Sequence, residues 1–162
     1  MAVLSVVRSE NGEKQMTAKE YLQQFEDAVE LVKQLREEYA EQTEQIDNIR
    51  SSLGGDGMPH SADIRREVEE KAIALAEKAQ ELKEAEIWAV ATEQQIFRTI
   101  LELHGVYRDV LIERYVHLKK WEEVADAVGY CVSRTHVKHK EALQMIQDFI
   151  DGKNKTQQDT FL

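Results

Sequence analysis

The sequence predicts an all-α protein: a long antiparallel helical hairpin, coiled-coil-like, followed by a compact C-terminal domain of three short helices. Three observations lead there. Charged residues make up 32 % of the 162 positions while proline occurs once, a balance typical of long solvated helices. Two extended stretches carry apolar residues at helical spacing. A single Gly- and Pro-containing break over 50–60, with SSLGGDGMPH at 51–60, separates them and marks a turn between neighbouring helices.

Residues 1–16 form no periodic pattern and read as a flexible leader or a short strand. Thr17-Ala18-Lys19-Glu20 has the form of a capping box, in which the Thr hydroxyl and the Glu carboxylate each accept from the other's backbone N–H. Ala18, Phe25, Val32, Tyr39 and Ile46 then recur every seven residues, with Tyr21, Ala28, Leu35 and Ile49 between them. That seam predicts a helix to about Ile49. After the break, Ser61 or Asp63 starts a second helix with the stripe Ile64, Val68, Ala72, Leu75, Ala79, Leu82 and Ala89, continuing to Ile96. Its small residues can admit Phe25, Val32 and Tyr39 from the facing helix. Ile87, Trp88, Ile96, Phe97, Ile100 and Leu101 make its last part more apolar than a two-helix seam requires. The C-terminal domain, a second subunit or both should cover it. The hairpin, 17–103, is therefore the expected site of homo-oligomerisation, most simply a dimer.

Gly105 permits a bend, Val106–Val116 reads as one helix with Val110, Leu111 and Tyr115 inward, and His117–Lys120 as a loop. Trp121 is expected to anchor the next helix against the Val106–Val116 helix. That next helix carries Val124, Ala125 and Val128 on one side and stops at Gly129, which leaves a helix through a left-handed backbone at little steric cost. A last helix, about 132–149, has Val132, Thr135, Ala142, Leu143, Ile146 and Phe149 on its packing side. Two helices joined by a tight Gly-containing turn form a helix-turn-helix, whose second helix can enter a DNA major groove. The polar stretch 151–162 reads as a disordered tail.

Glu113-Arg114-Tyr115, Trp121-Glu122-Glu123-Val124-Ala125, Gly129-Tyr130 and Glu141-Ala142-Leu143 resemble sigma factor region 4. The nearest likeness is to small phage transcription regulators of Gram-positive bacteria with a region-4-like C-terminus, the ArpU and RinA type. It covers roughly Gly105 to Phe149 and, more weakly, the opening Met16 to Leu22. The resemblance implies promoter DNA binding by 104–150 and, for some members, activation of late phage genes. RNA polymerase is then an expected partner of the acidic hairpin. Lys120 and Cys131 stand where that family has a Ser or Thr cap, and Glu122 and Glu123 partly compensate through the helix dipole.

A net charge of −10 opposes DNA, but its distribution does not. Residues 1–103 hold 12 Lys and Arg against 22 Asp and Glu, whereas 104–162 hold 9 against 9. Within the latter, Arg134–Lys140 carries three cations, two His and no acid. Opposite the packing stripe stand Ser133, Arg134, His136, Val137 and Lys140, the candidates for base contact, since Arg bonds a guanine edge bidentately and Ser and His read several bases. Lys119, Lys120 and Lys138 are candidates for phosphate contact. Cys131, His136 and His139 match no standard zinc spacing, and no metal or cofactor is expected. No phosphate loop, nucleophile context or HExxH helix suggests an enzyme. A single Cys, no long apolar run and no secretory signal favour a soluble cytoplasmic protein. Two alternatives remain open: a phage small terminase subunit, whose DNA-binding part usually comes first and not last, and an interaction module that sequesters a transcription partner without touching DNA.

Overall fold

The structure, a computed structural model, describes residues 16–52 and 62–158, the last six as backbone only. The expected leader except Met16, most of the break and the final four residues lie outside the described residues. Every regular element among the described residues is helical: α1 (Ala18–Ser52), α2 (Ala62–Ile100), α3 (Val106–Leu111), a π-helical turn (Ile112–Val116), α4 (Trp121–Val128) and α5 (Val132–Gln158).

α1 begins on the capping box the sequence announces. Thr17 N–H donates to the Glu20 carboxylate at 2.8 Å and Glu20 N–H to Thr17 Oγ1 at 3.2 Å. Ala18 N–H donates to Gln147 Oε1 of α5 at 2.7 Å, so the chain's other end helps to satisfy this terminus. α1 and α2 run antiparallel: Tyr21 meets Thr99, Arg36 pairs with Glu86 at 2.6 Å, and Glu38 with Lys78 at 2.9 Å. Thr99 Oγ1 already donates to Gln95 O, so the Tyr21 hydroxyl is the donor in their 2.9 Å bond. The Arg36 and Lys78 pairs are solvated and contribute little stability.

Burial is uneven along this pair. Ala28, Val32 and Leu35 of α1 pack on Ala85 and Ala89 of α2, flanked by Leu82. Beyond them Ile46 is buried, but Tyr39 and Ile49 are half-buried, as are Ile64, Val68, Leu75 and Ala79, and Ala72 is exposed. Two helices alone can cover only part of each other's stripe, so the distal half of the expected seam is thin.

The main core forms at the other end and joins what the sequence separates into two domains. Ala18 and Leu22 from α1 meet Ile96 and Ile100 from α2, then Leu103, Leu111, Tyr115, and Ala142 and Ile146 from α5. The C-terminal helices thus fold back on the long pair and cover Ile96 and Ile100, while Ile87, Trp88, Phe97 and Leu101 of the expected apolar excess stay exposed. Leu22, absent from the heptad seam, is wholly buried. It faces the C-terminal helices, a direction that a two-helix pattern does not contain.

Three further corrections concern the C-terminal part. The single helix expected over Val106–Val116 is two pieces, because the Ile112–Val116 segment widens into a π turn closed by His117 N–H to Ile112 O at 3.0 Å. Val132, placed on the packing stripe by spacing, is exposed at the very start of α5. The helix also continues through Gln158, beyond the expected end near Phe149. Thr135, Ala142 and Ile146 are fully buried and Leu143 and Phe149 half-buried, in keeping with the rest of that stripe.

Leu22→Ala should cost about 2–5 kcal/mol, the usual range for a cavity in a packed core. Urea unfolding followed by far-UV dichroism and by Trp121 fluorescence should shift together, because long helices and C-terminal helices share this core. Ile73→Ala, at a side chain that is 61 % exposed, should leave the midpoint unchanged to within about 0.5 kcal/mol.

Candidate nucleic-acid interface

The turn between α4 and α5 is built from backbone. Gly129 adopts φ 73°, ψ 29°, and Tyr130 N–H reaches back to Ala125 O at 3.1 Å while Gly129 N–H bonds Asp126 O at 3.3 Å. This left-handed exit satisfies the last α4 carbonyls. Ala125 is 2 % exposed and Val124 fully buried, so α4 lies close against its neighbours. At the start of α4 the Lys120 side chain has no oxygen to offer as a cap. The Glu123 carboxylate instead accepts from Lys120 N–H at 2.9 Å, the compensating half of a capping box. α5 opens without a side-chain cap from Cys131; Thr135 donates through both N–H and Oγ1 to Cys131 O, at 3.0 and 3.1 Å.

With Thr135, Ala142 and Ile146 inward, the first turns of α5 present Ser133, Arg134, His136, Val137 and Lys140 outward; all five are exposed. The base-contact candidates therefore share one open face. Arg134 lies over the Tyr130 ring, 4.9 Å from its centroid. That contact restrains the long side chain without covering the guanidinium edge. Neither Arg134 nor Lys140 has an acidic partner among the described residues. His136 is less free, its ring packed on Trp121 with centroids 4.2 Å apart.

The three phosphate candidates separate. Lys120 is exposed. Lys119 pairs with Glu113, whose carboxyl is held below the usual carboxylate range chiefly by that lysine and further by His117. Lys138 is turned away from the open face: it donates to Glu141 at 2.8 Å and to the Tyr107 hydroxyl at 3.3 Å, above the Tyr107 ring. Its stem packs as expected of a lysine at an otherwise apolar position, and its charge is spent within the protein.

A polar and aromatic cluster behind the face went unread in the sequence. Trp121, expected to brace α4 on the preceding segment, also packs on α5, through His136 and edge-on to His139 with centroids 4.8 Å apart. Arg114 approaches the same indole, 5.6 Å from its centroid, and donates to Lys119 O at 3.0 Å. The Tyr115 hydroxyl and His139 Nε2 share a 2.8 Å hydrogen bond. Burial pushes the Tyr115 phenol up to about 12 and, aided by the nearby His136, Lys19 and Arg114, pushes the His139 imidazole down to about 4. A protonated phenol and a neutral imidazole fit an O–H donor and a nitrogen acceptor. These partners lie 24 residues apart in sequence, and no local spacing rule relates them. Among the described residues no group of three metal-ligand side chains converges, and Cys131 stays exposed as a free thiol. No helix among them is long and apolar enough to cross a membrane.

No family model, curated protein or solved structure matches the chain. The site is read from its own geometry.

Native His139 resists protonation, whereas the unfolded imidazole takes a proton near its ordinary value of about 6.5. The stability that depends on a neutral His139 is fully present above about pH 6.5 and is lost as the pH falls toward 4. Urea midpoints measured between pH 7 and pH 4 should fall for the native chain and fall less steeply for His139→Gln.

Proposed function

We propose that the chain is a sequence-specific double-stranded DNA-binding protein of transcriptional control, which reads the major groove with the first turns of α5. The observation that carries this reading is the open face of Ser133, Arg134, Val137 and Lys140, free of acid from 132 to 140 and held out by the Gly129 turn. Arg134 has the forked donors that match a guanine edge, and its seat on Tyr130 lowers the entropy lost when it binds. Val137, 54 % exposed on that face, supplies the apolar contact that a thymine methyl accepts. The N-terminal end of α5, its amides directed outward, adds positive potential for a nearby phosphate. Lys120 is the phosphate contact best supported, and Lys119 and Lys138 are weakened by their carboxylate partners.

The residues shared with sigma factor region 4 support a promoter site as the target and a phage or prophage setting, with RNA polymerase meeting the acidic surface of α1 and α2. The trihelical C-terminal part is then a helix-turn-helix domain of that type, and the long helices bring copies together as a dimer. The neutral balance of 104–162 implies modest affinity with a marked dependence on salt.

Selection of bound fragments from random duplexes at fixed salt should return a consensus. On that sequence Arg134→Ala should cost about 1–3 kcal/mol of binding and relax the preference at one base pair. Lys120→Ala should weaken binding to all duplexes alike and reduce the salt slope by about 1. A chain that enriches no sequence, or an Arg134→Ala variant with unaltered preference, would overturn this reading. Regulatory activity that survives both Arg134→Ala and Lys140→Ala but is lost on changing the long helices would show an interaction module instead.

A further inference from the structure

Near its C-terminal end α2 carries a second apolar stripe that nothing among the described residues covers. Ile87, Val90 and Phe97, and Leu101 one residue past the helix end, are 61, 53, 38 and 45 % exposed; Leu101 N–H still donates to Phe97 O at 3.0 Å. With Gln94 they occupy steps of three, four, three and four residues, the spacing of a coiled-coil seam. The buried residues of the same stretch, Ala85, Ala89, Ile96 and Ile100, point the other way, toward α1 and the C-terminal helices. Next to the stripe an open groove has an apolar floor of Val29, Val32, Ala89 and Val90 and a charged rim of Lys33, Arg36, Glu37 and Glu86.

We propose that a second copy of this chain docks on this stripe, α2 against α2 and parallel, about a two-fold axis. Knobs at alternating three- and four-residue steps need holes at the same steps, and an identical helix supplies them. Orientation follows from the flanking charges. Glu93 precedes the seam position Gln94, and Arg98 follows the seam position Phe97; neither has an ionic partner among the described residues. In a parallel pair each Glu93 faces Arg98 of the second copy, five residues on, and the two-fold axis makes the contact twice. An antiparallel pair sets Arg98 opposite Ala91 and leaves both charges unmatched. Gln94 lies at the middle of the seam, where the two amides of a parallel pair meet and bond each other. One polar residue in such a seam fixes register at some cost in stability. The surface is argued from α2 alone and stands whether or not α5 reads DNA; if it does, parallel pairing sets both reading faces at the same end of the assembly.

Analytical ultracentrifugation of the full chain tests this. The native chain should sediment as a dimer at about 100 µM, a concentration at which a Kd of ~10 µM leaves most chains paired. Phe97→Glu, at an exposed position, should keep the dichroism spectrum and, measured well below the dimer Kd, the melting temperature, and raise the dimer Kd at least ~100-fold, or about 2.7 kcal/mol. Glu93→Arg and Arg98→Glu should each weaken the dimer, and the double exchange should restore it. Gln94→Cys in a Cys131→Ser chain should form a disulfide-linked dimer on mild oxidation. A native chain that stays monomeric overturns the proposal and leaves the stripe to residues 1–15 or to a different protein. A dimer unaffected by Phe97→Glu overturns it by placing the contact elsewhere. A dimer that Gln94→Cys cannot cross-link, and that the charge exchanges leave unchanged, overturns the parallel arrangement.

Discussion

The structure depends on one shared apolar contact, the packing of Leu22, Ile96 and Ile100 from the long helices against Tyr115, Ala142 and Ile146 from the C-terminal part. Neither part has enough surface to bury by itself. α3 and α4 are six and eight residues long, too short to be stable without tertiary contacts. The long pair is thinly packed over its distal half. Each part supplies the wall the other lacks, and the Ala18 N–H to Gln147 bond, between residues 129 apart in sequence, joins them. Stability should therefore concentrate where the two meet and decline toward Ser52 and Ala62.

This arrangement also decides which cations are free. The face of α5 that turns inward carries Thr135, His139, Ala142 and Ile146, and His139 sits between Tyr115 and Trp121. Tyr107 of α3 and Glu141 together draw Lys138 sideways, and Glu113 at the π turn takes Lys119. What remains outward is a strip one helix face wide. Selection of Arg134 and Lys140 over Lys138 is thus a product of packing. It would be invisible to any count of basic residues.

Much of this was legible in the sequence, for local reasons. The capping box at Thr17, the stop at Gly129, the inward Val124, Ala125, Thr135 and Ile146, and the outward Ser133, Arg134, His136, Val137 and Lys140 all follow from spacing or from one residue's backbone preference. The misreadings arose where the controlling partner is remote. Leu22 falls off the heptad because it answers to Ile146 and Ile100. Val132 obeys the period of α5 but lies before the point where α5 meets anything. The Tyr107 partner of Lys138 carries no sign in its local spacing because that contact forms only in the folded chain. The π turn at Ile112–Val116 keeps the composition of an ordinary helix and carries no local sign of its extra residue per turn.

The acidity of the long helices is compatible with the proposed DNA-binding role of α5, because salt acts differently on the two proposed associations. Two chains of net charge −10 repel each other, and most of that charge lies on α1 and α2, close to the stripe proposed for pairing. Ions within a Debye length of about 10 Å at 0.1 M screen this repulsion, while burial of Ile87, Val90, Phe97 and Leu101 is little affected. Added salt should thus strengthen pairing of the chains even as it weakens phosphate contacts by competing for the DNA. On the proposed reading, acid placed away from the α5 face would also disfavour DNA lying along the long helices, and would leave the end where charge is neutral and Arg134 and Lys140 are exposed as the open approach. The same surplus of carboxylates that seems to argue against nucleic acid in the whole-chain charge then becomes a source of orientation, because it leaves one approach without an electrostatic penalty.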